Sequence, residues 1–391
     1  MAPVAIAFAV LDLTGSVADL GLVMAANSVA VTALILVGGV VADRVSPRLS
    51  MLRADLVSAV SIGAIAVLLL AGVAATWQLA ILYAIAGGAI AFFYPASNAI
   101  IPQVVPSARL QEATALLNVS RNAGKVAGPA LAGVLLALGS PGSALAVDAA
   151  TFLVSAVCLV GVKAPRPRGA FTQNPFLAEL RHGWREFASR DWLVAVVLSA
   201  AISNALFYAG FLVLGPAVAK ESLDGSGSWA MIASCWGAGG ILGGSLALAV
   251  HPRRPVLLGE SIVVLVGTPI ALLAIPAGTA VISLGALIGA ATGSLAVVLY
   301  ETALVEQVPQ DSLSRVLAYD WFGSLALEPL ALVLVGPTAA GIGVSATLLL
   351  AFGVMTACQL AVLLVPGVRH LERDPVAERA MPQLRPVEAR D

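Results

Sequence analysis

The chain has 391 residues, 59% of them hydrophobic and only 11% charged, with a net charge of −1. A soluble domain carries about a quarter charged residues, so one large water-facing globule is excluded. The near-zero charge also excludes a basic field for nucleic acid.

A membrane-crossing helix needs about 20 apolar residues to cover about 30 Å. A short apolar piece, Pro3 to Leu13, comes first. Eleven longer segments follow, at 20–42, 49–72, 77–99, 112–138, 143–162, 192–219, 228–250, 255–275, 279–300, 314–337 and 342–365. As a helix the first piece reaches only about 16 Å. The segment from Leu20 must run inward, so Pro3–Leu13 reads as the outer half of a first helix. The reading frame is therefore expected to begin upstream, adding roughly 15–25 residues. A signal peptide is the weaker reading, since there is no basic leading stretch and no clear cleavage site.

Orientation follows from Lys and Arg, which gather on the cytoplasmic side. Alternate connections carry Arg44, Arg48 and Arg53, then Arg109, the linker cations, Arg253, Arg254 and Arg315, and the tail cations. These are 18 of the 21 basic residues. The opposite side has only Lys220, while Arg121 and Lys125 lie inside a span. The long linker and the tail are thus expected in the cytoplasm, and a high Arg-to-Lys ratio with abundant alanine points to a GC-rich bacterium.

Near residue 163 the chain divides. Lys163-Ala-Pro-Arg-Pro-Arg168 favours an extended path. After it, Phe176, Leu180, Trp184 and Phe187 recur at helical spacing among charges, as in a helix lying on the membrane surface. Gly38-Gly39 with Pro47-Arg48 returns as Gly243-Gly244 with Pro252-Arg253, and Val105-Pro106 returns as Val308-Pro309. Parallel repeats of six spans are a transporter design. The expected fold is all-α and integral to the membrane, with twelve transmembrane helices, the first truncated, in two six-helix bundles related by a pseudo-twofold. Residues 1–162 form one bundle, 163–191 the linker, 192–365 the second bundle and 366–391 a charged tail.

Two motifs carry a family resemblance. After the second span, Gly39, Asp43, Arg44 and Arg48 stand in Gly39-Val-Val-Ala-Asp43-Arg44-Val-Ser-Pro-Arg48. In the fifth, Gly124, Gly128, Pro129 and Gly133 stand in Gly124-Lys-Val-Ala-Gly128-Pro129-Ala-Leu-Ala-Gly133. The first resembles the loop signature of the major facilitator superfamily, with Ser46 and Pro47 departing from it. The second resembles that superfamily's antiporter signature, with Ala132 in a glycine position. Phe92 to Pro102 and Asp148 to Phe152 are similar to the branch of macrolide-efflux and enterobactin-exporter-like proteins. The resemblance implies two halves latched on the cytoplasmic side by the first motif, close helix packing at the second, and export. Gly239, Gly240, Gly243 and Gly244 of the eighth span offer the second motif a partner face. The fourth span has no arginine, where many drug–proton antiporters of the superfamily carry one.

Ionisable groups inside a membrane are costly and are functional candidates by default. Arg121, Lys125, Asp148, Asp320 and Glu328 lie within spans, and Asn27 and Trp236 are cavity candidates by depth. Lys125 and Asp148 reach similar depth and could pair, as a structural or a coupling pair. Glu328 has no basic partner in its own half, which favours function. Asp55, Glu260 and Glu301 lie near span ends and read as local partners.

The expected function is secondary export of a small amphipathic molecule, a drug, antibiotic or siderophore-like compound, coupled to proton influx. The expected protein is a monomer in the cell membrane. An uptake symporter or facilitator and a non-transporting accessory or sensor stay open. No catalytic residues, cofactor or metal site are expected, since phosphate-binding loops, ligand clusters and nucleophile–base pairs are missing.

Overall fold

The computed structural model describes residues 1–44, 46–105, 109–162, 184–275 and 277–372, with some helical side chains left aside, among them those of 36–44 and 125. Among the described residues all regular structure is helical. The first group is α1 (Ala2–Thr14), α2 (Val17–Arg44), α3 (Pro47–Leu70), α4 (Thr76–Ala99), α5 (Ile101–Val104), α6 (Leu110–Leu138) and α7 (Pro141–Gly161). The second is α8 (Asp191–Ser222), α9 (Ser226–Ala247), α10 (Pro255–Ala274), α11 (Thr279–Gln307), α12 (Gln310–Leu325), α13 (Glu328–Ile342), α14 (Val344–Val362) and α15 (Pro366–His370). Among the described residues ten helical stretches are long and apolar enough to cross a membrane, and Ala2–Thr14 and Val126–Leu138 are shorter apolar helices.

Helix starts follow local chemistry. Pro47, Pro141 and Pro255 open α3, α7 and α10, where a missing N–H costs nothing. Ser140 Oγ accepts from the Ser143 N–H at 3.3 Å while Ser143 Oγ accepts from the Ser140 N–H at 3.0 Å, a reciprocal cap for α7. Gly15, at φ 65°, turns the chain out of α1 in the left-handed conformation that glycine tolerates.

In the first bundle α4 packs on α2 and α3, and α3 on α7. In the second, α11 packs on α9 and α10, and α14 on α8 and α10. Asn27 on α2 donates to the Tyr83 carbonyl of α4 at 2.8 Å, and a Cβ on Gly87 would overlap the Asn27 side chain. On the other side, Cβ atoms on Gly239 and Gly243 would overlap the Leu287 and Ala291 carbonyl oxygens of α11. Gly239 and Gly243 therefore serve contact within their own bundle rather than facing the Gly124–Gly133 stretch, and Gly240 has open space before it. The sequence repeat thus matches α2 with α9, each packed against the long helix two spans later.

The bundles meet most extensively where α6 packs on α9 and α2 on α13, with smaller contacts of α1 and α2 on α8. Gly133 meets Ala230, Gly21 meets the Leu332 carbonyl and Gly336 meets Ala18, all so close that a Cβ on the glycine would collide. All three lie toward the end that holds the short connections after α1, α6, α8 and α13. At that end Lys220 Nζ donates to Asp12 Oδ1 at 2.5 Å and to the Leu11 carbonyl at 2.9 Å. One buried cluster there draws Phe8, Leu20 and Met24 together with Phe211, Leu214 and Leu332. At the opposite, arginine-rich end the described core splits. Met51, Ala96, Ile100 and Leu159 belong to the first bundle, and Trp192, Leu193, Val197 and Leu304 to the second. Among the described residues the core is shared by both bundles at the short-loop, closed end and split between them at the basic end.

Candidate functional site

Between the bundles, at the inner limit of the closed end, the helix of the eleventh span is interrupted. α12 ends at Leu325 and α13 begins at Glu328. Pro329 has no N–H for the Leu325 carbonyl and its ring crowds that oxygen, so the helix breaks just before it. Asn204 Nδ2 on α8 reaches into the break and donates to the Ser324 carbonyl at 3.2 Å. Glu328 thereby sits in the first turn of α13, where the positive end of the helix dipole favours a carboxylate. Counting 14 residues back from Ile342 puts it about 21 Å from the closed end, well inside the bilayer.

Glu328 Oε1 accepts from Ser28 Oγ at 2.9 Å, a hydrogen bond from α13 of one bundle to α2 of the other. Tyr208, on α8, stands within electrostatic reach of Glu328 and of Tyr94 on α4. The helix of α8 switches to π geometry directly after Tyr208, over Ala209–Leu214. Such bulges concentrate at functional sites because they turn side chains out of register. Beside Tyr208 runs an aromatic wall: Phe207 stacks on Trp236 at 4.5 Å and on Phe211 at 5.1 Å, and Phe211 meets Trp229 at 4.8 Å. Tyr94 is 53% exposed, so it borders open space. Carboxylate, hydroxyls and rings from five helices of both bundles meet here. Its partly exposed members, Tyr94, Tyr208 and Trp236, can bind an amphipathic molecule by stacking and hydrogen bonding over the buried rings, and Glu328 can hold a proton.

The other candidates lie apart. Asp148 is buried on α7, with the Met1 α-amino nitrogen 3.7 Å from its Oδ1. The side chains of Lys125, Asp43 and Arg44, and the residue Gly39, lie outside the described side chains, and residues 163–183 and 373–391 of the linker and tail lie outside the described residues. Arg121 donates to Ser97 Oγ at 2.8 Å, bracing α6 to α4. Asp320 accepts from Tyr300 at 2.5 Å, between α12 and α11, about two turns from Glu328 toward the basic end. Asn27 braces α2 to α4. Arg48 donates from Nε to the Leu159 carbonyl at 2.8 Å and from Nη2 to that of Val160 at 2.6 Å, capping α7 in its own bundle. Gly124 faces open space and Gly128 faces the start of α1. Among the described residues no cluster of metal-ligand type occurs.

Sequence reasoning missed Ser28, Tyr94, Tyr208 and the Asp12–Lys220 pair. Pro329 beside Glu328 was the available signal for the break, and Lys220, isolated on its side, the signal for the pair.

Two repeated helical bundles whose described core is shared at one end and split at the other are the arrangement of a membrane transporter of the alternating-access class. The chain matches the Major Facilitator Superfamily over residues 1–326 and belongs to that family. It is 28% identical over 386 residues to the multidrug efflux pump Tap of Mycolicibacterium fortuitum, covering 94% of this chain and 92% of Tap. It is 31% identical over 166 residues to the "Uncharacterized MFS-type transporter YfiS" of Bacillus subtilis, a match spanning 42% of the chain and 38% of YfiS. Macrolide efflux protein A of Enterococcus faecalis is 23% identical over 229 residues, 57% of the chain and 71% of that protein. Two solved structures share the fold with a TM-score of 0.72. A mutant of the nucleoside transporter NupG is 13% identical over 93% of the chain and 96% of its own. An inward-facing, unoccupied bacterial homologue of the human lysosomal transporter Spinster is 16% identical over 96% of the chain and 95% of its own. The protein is thus a multi-pass membrane transporter of small molecules, not an enzyme, with efflux proteins among its relatives.

Proposed function

We propose that the chain is a secondary exporter of a small amphipathic molecule, of drug or antibiotic type, driven by proton influx across a bacterial cell membrane. The observation that carries this reading is the Ser28–Glu328 hydrogen bond, which joins the bundles through an acid at a helix break inside the bilayer. The full-length similarity to an efflux pump supports the direction. By the distribution of arginine the basic end is cytoplasmic, so the structure is inward-open and the 163–191 linker and 366–391 tail face the cytoplasm.

The cycle then uses these parts as follows. Substrate enters from the cytoplasmic side and lies against Tyr94, Tyr208 and Trp236, where it displaces the Ser28 hydroxyl from Glu328. Loss of that bond and of the Asp12–Lys220 clasp frees the bundles to rock. A proton taken up by Glu328 from the outside neutralises the carboxylate and favours release and return. One chain contains the whole path, so the working unit is a monomer.

Inverted vesicles with an imposed pH gradient test this. Gradient-driven accumulation of ethidium or a macrolide is expected in wild type, and Glu328→Gln should transport without responding to the gradient. An unchanged pH profile in Glu328→Gln assigns Glu328 to substrate contact or structure. Accumulation in the opposite sense supports an uptake symporter, and failure across a broad panel supports a non-transporting accessory protein.

A further inference from the structure

A groove of about 690 Å³ opens between α2 and α3 over a floor made by α4. α2 and α3 each pack heavily on α4 and barely touch one another, which leaves the wedge between them. Its floor is Ile81, Ile85, Gly88 and Phe92 of α4, and its walls are Leu34 of α2 and Ala54 and Val57 of α3. Gly88 is small enough to let Leu34 lie close above it. The groove faces the bilayer rather than the space between the bundles. Ile85 precedes Tyr94 by nine residues, two and a half helical turns, so the two lie on opposite faces of α4. Ile81, Ile85 and Val57 are 53%, 45% and 41% exposed, as lipid-facing residues are.

The groove is not uniform along its length. Its apolar part, from Ile81 to Phe92, runs about 16 Å along the middle of α4, long enough for one acyl chain entering from the basic end. At the basic end it is bordered by Arg53 and, one turn earlier on the same face of α3, Ser50. Arg53 is exposed and has no ion-pair partner among the described residues. A guanidinium at the basic end of an apolar slot as long as an acyl chain is complementary to a phosphate joined to that chain.

We propose that this groove holds one anionic phospholipid of the basic-end leaflet, its phosphate on Arg53 and Ser50 and one acyl chain in the slot. The lipid fills the wedge between α2 and α3 and so sets the position of α3, whose first turn carries Arg48, the cap of α7. The site is separate from the transport site and does not depend on the direction or coupling of transport.

Native mass spectrometry of the delipidated full-length protein, titrated with dioleoyl phosphatidylglycerol or dioleoyl phosphatidylcholine, tests the site. Phosphatidylglycerol should be retained at least about threefold better than phosphatidylcholine. Arg53→Ala should bring it down to the phosphatidylcholine level, and Arg53→Lys should keep part of the preference. Ala84→Trp, which fills the groove, should reduce retention of both lipids, and Arg369→Ala, on a distant basic helix, should leave retention unchanged. Free glycerol 3-phosphate should not raise the melting temperature, whereas phosphatidylglycerol should. Equal retention of the two lipids by wild type, or unaltered retention in both Arg53→Ala and Ala84→Trp, reduces the groove to ordinary annular contact and overturns the proposal. A dimer that Ala84→Trp disrupts would assign the groove to a second copy of the chain and overturn it equally.

Discussion

Glu328 and Arg48 show how differently two ionisable side chains are used within one membrane protein. Glu328 is placed by a helix break and tied to the opposite bundle by Ser28. Its substitution is therefore expected to act on coupling more than on folding. Among the described residues Arg48 meets the last carbonyls of α7, whose orphan acceptors need donors at the helix end. Hydrogen bonds to a charged group contribute about 1.5–3 kcal/mol, so Arg48→Ala should destabilise the first bundle by about 2 kcal/mol. The measurement is a melting curve in detergent, where a drop of a few degrees is expected, partly recovered by Arg48→Lys. A melting point equal to wild type would mean that water replaces the cap without loss.

At the scale of helices, small residues divide into those that hold a bundle together and those at which the bundles meet. Gly239 and Gly243 bring α9 onto the backbone of α11 within one bundle. Gly133 brings α6 onto Ala230 of α9 across the closed end. The first contact persists through any rocking motion and the second must open. Gly243→Val forces backbone apart in a packed core, with a cost of about 1–3 kcal/mol or more. It is expected to abolish the monodisperse peak in size-exclusion chromatography. Gly133→Leu should express and purify normally, yet lose transport, because the added bulk wedges the end that must close. If Gly133→Leu transports as wild type does, the α6–α9 contact is not part of the cycle. Gly124, with open space before it, should accept alanine without effect on either measurement.

For the whole molecule the closed end is the informative feature. The Asp12–Lys220 pair joins α1 to α8, and both side chains are substantially exposed, 52% and 38%. An exposed pair of this kind contributes about 0–1 kcal/mol, weak enough to break once in every cycle. In a background lacking Cys158, Cys235 and Cys358, a disulfide between Asp12→Cys and Lys220→Cys should stop transport and a reductant should restore it. Transport that continues with the bond formed would show that this end need not part. The charge-exchanged double variant, Asp12→Lys with Lys220→Asp, should transport better than either single variant. Cysteines placed in the linker and the tail should be labelled only from the cytoplasmic side, and labelling from outside intact cells would reverse the orientation.

The spans, their order and the family were legible in the sequence. A helix in lipid must satisfy its backbone hydrogen bonds within itself, so hydropathy and charge alone mark each crossing. The eleven long segments read from apolar runs reappear as α2 to α14, with the eleventh span divided between α12 and α13, and the short first piece reappears as α1. The glycine-proline motifs carried the family. The partners of the buried groups were not legible, because helices apolar all round show no face from which a neighbour can be inferred. Glu328 was visible as a costly acid, but its bond to Ser28, 300 residues away, depends on how two bundles lean together. Likewise the glycines of α9 could be read as a packing face, while whether they meet α6 or α11 rests on the rotation of the helix. The sequence by itself determined that this chain crosses a membrane many times in two repeated halves. Only the tertiary structure decided which ends of those halves touch, since that contact is made by side chains far apart in the chain and held together by packing.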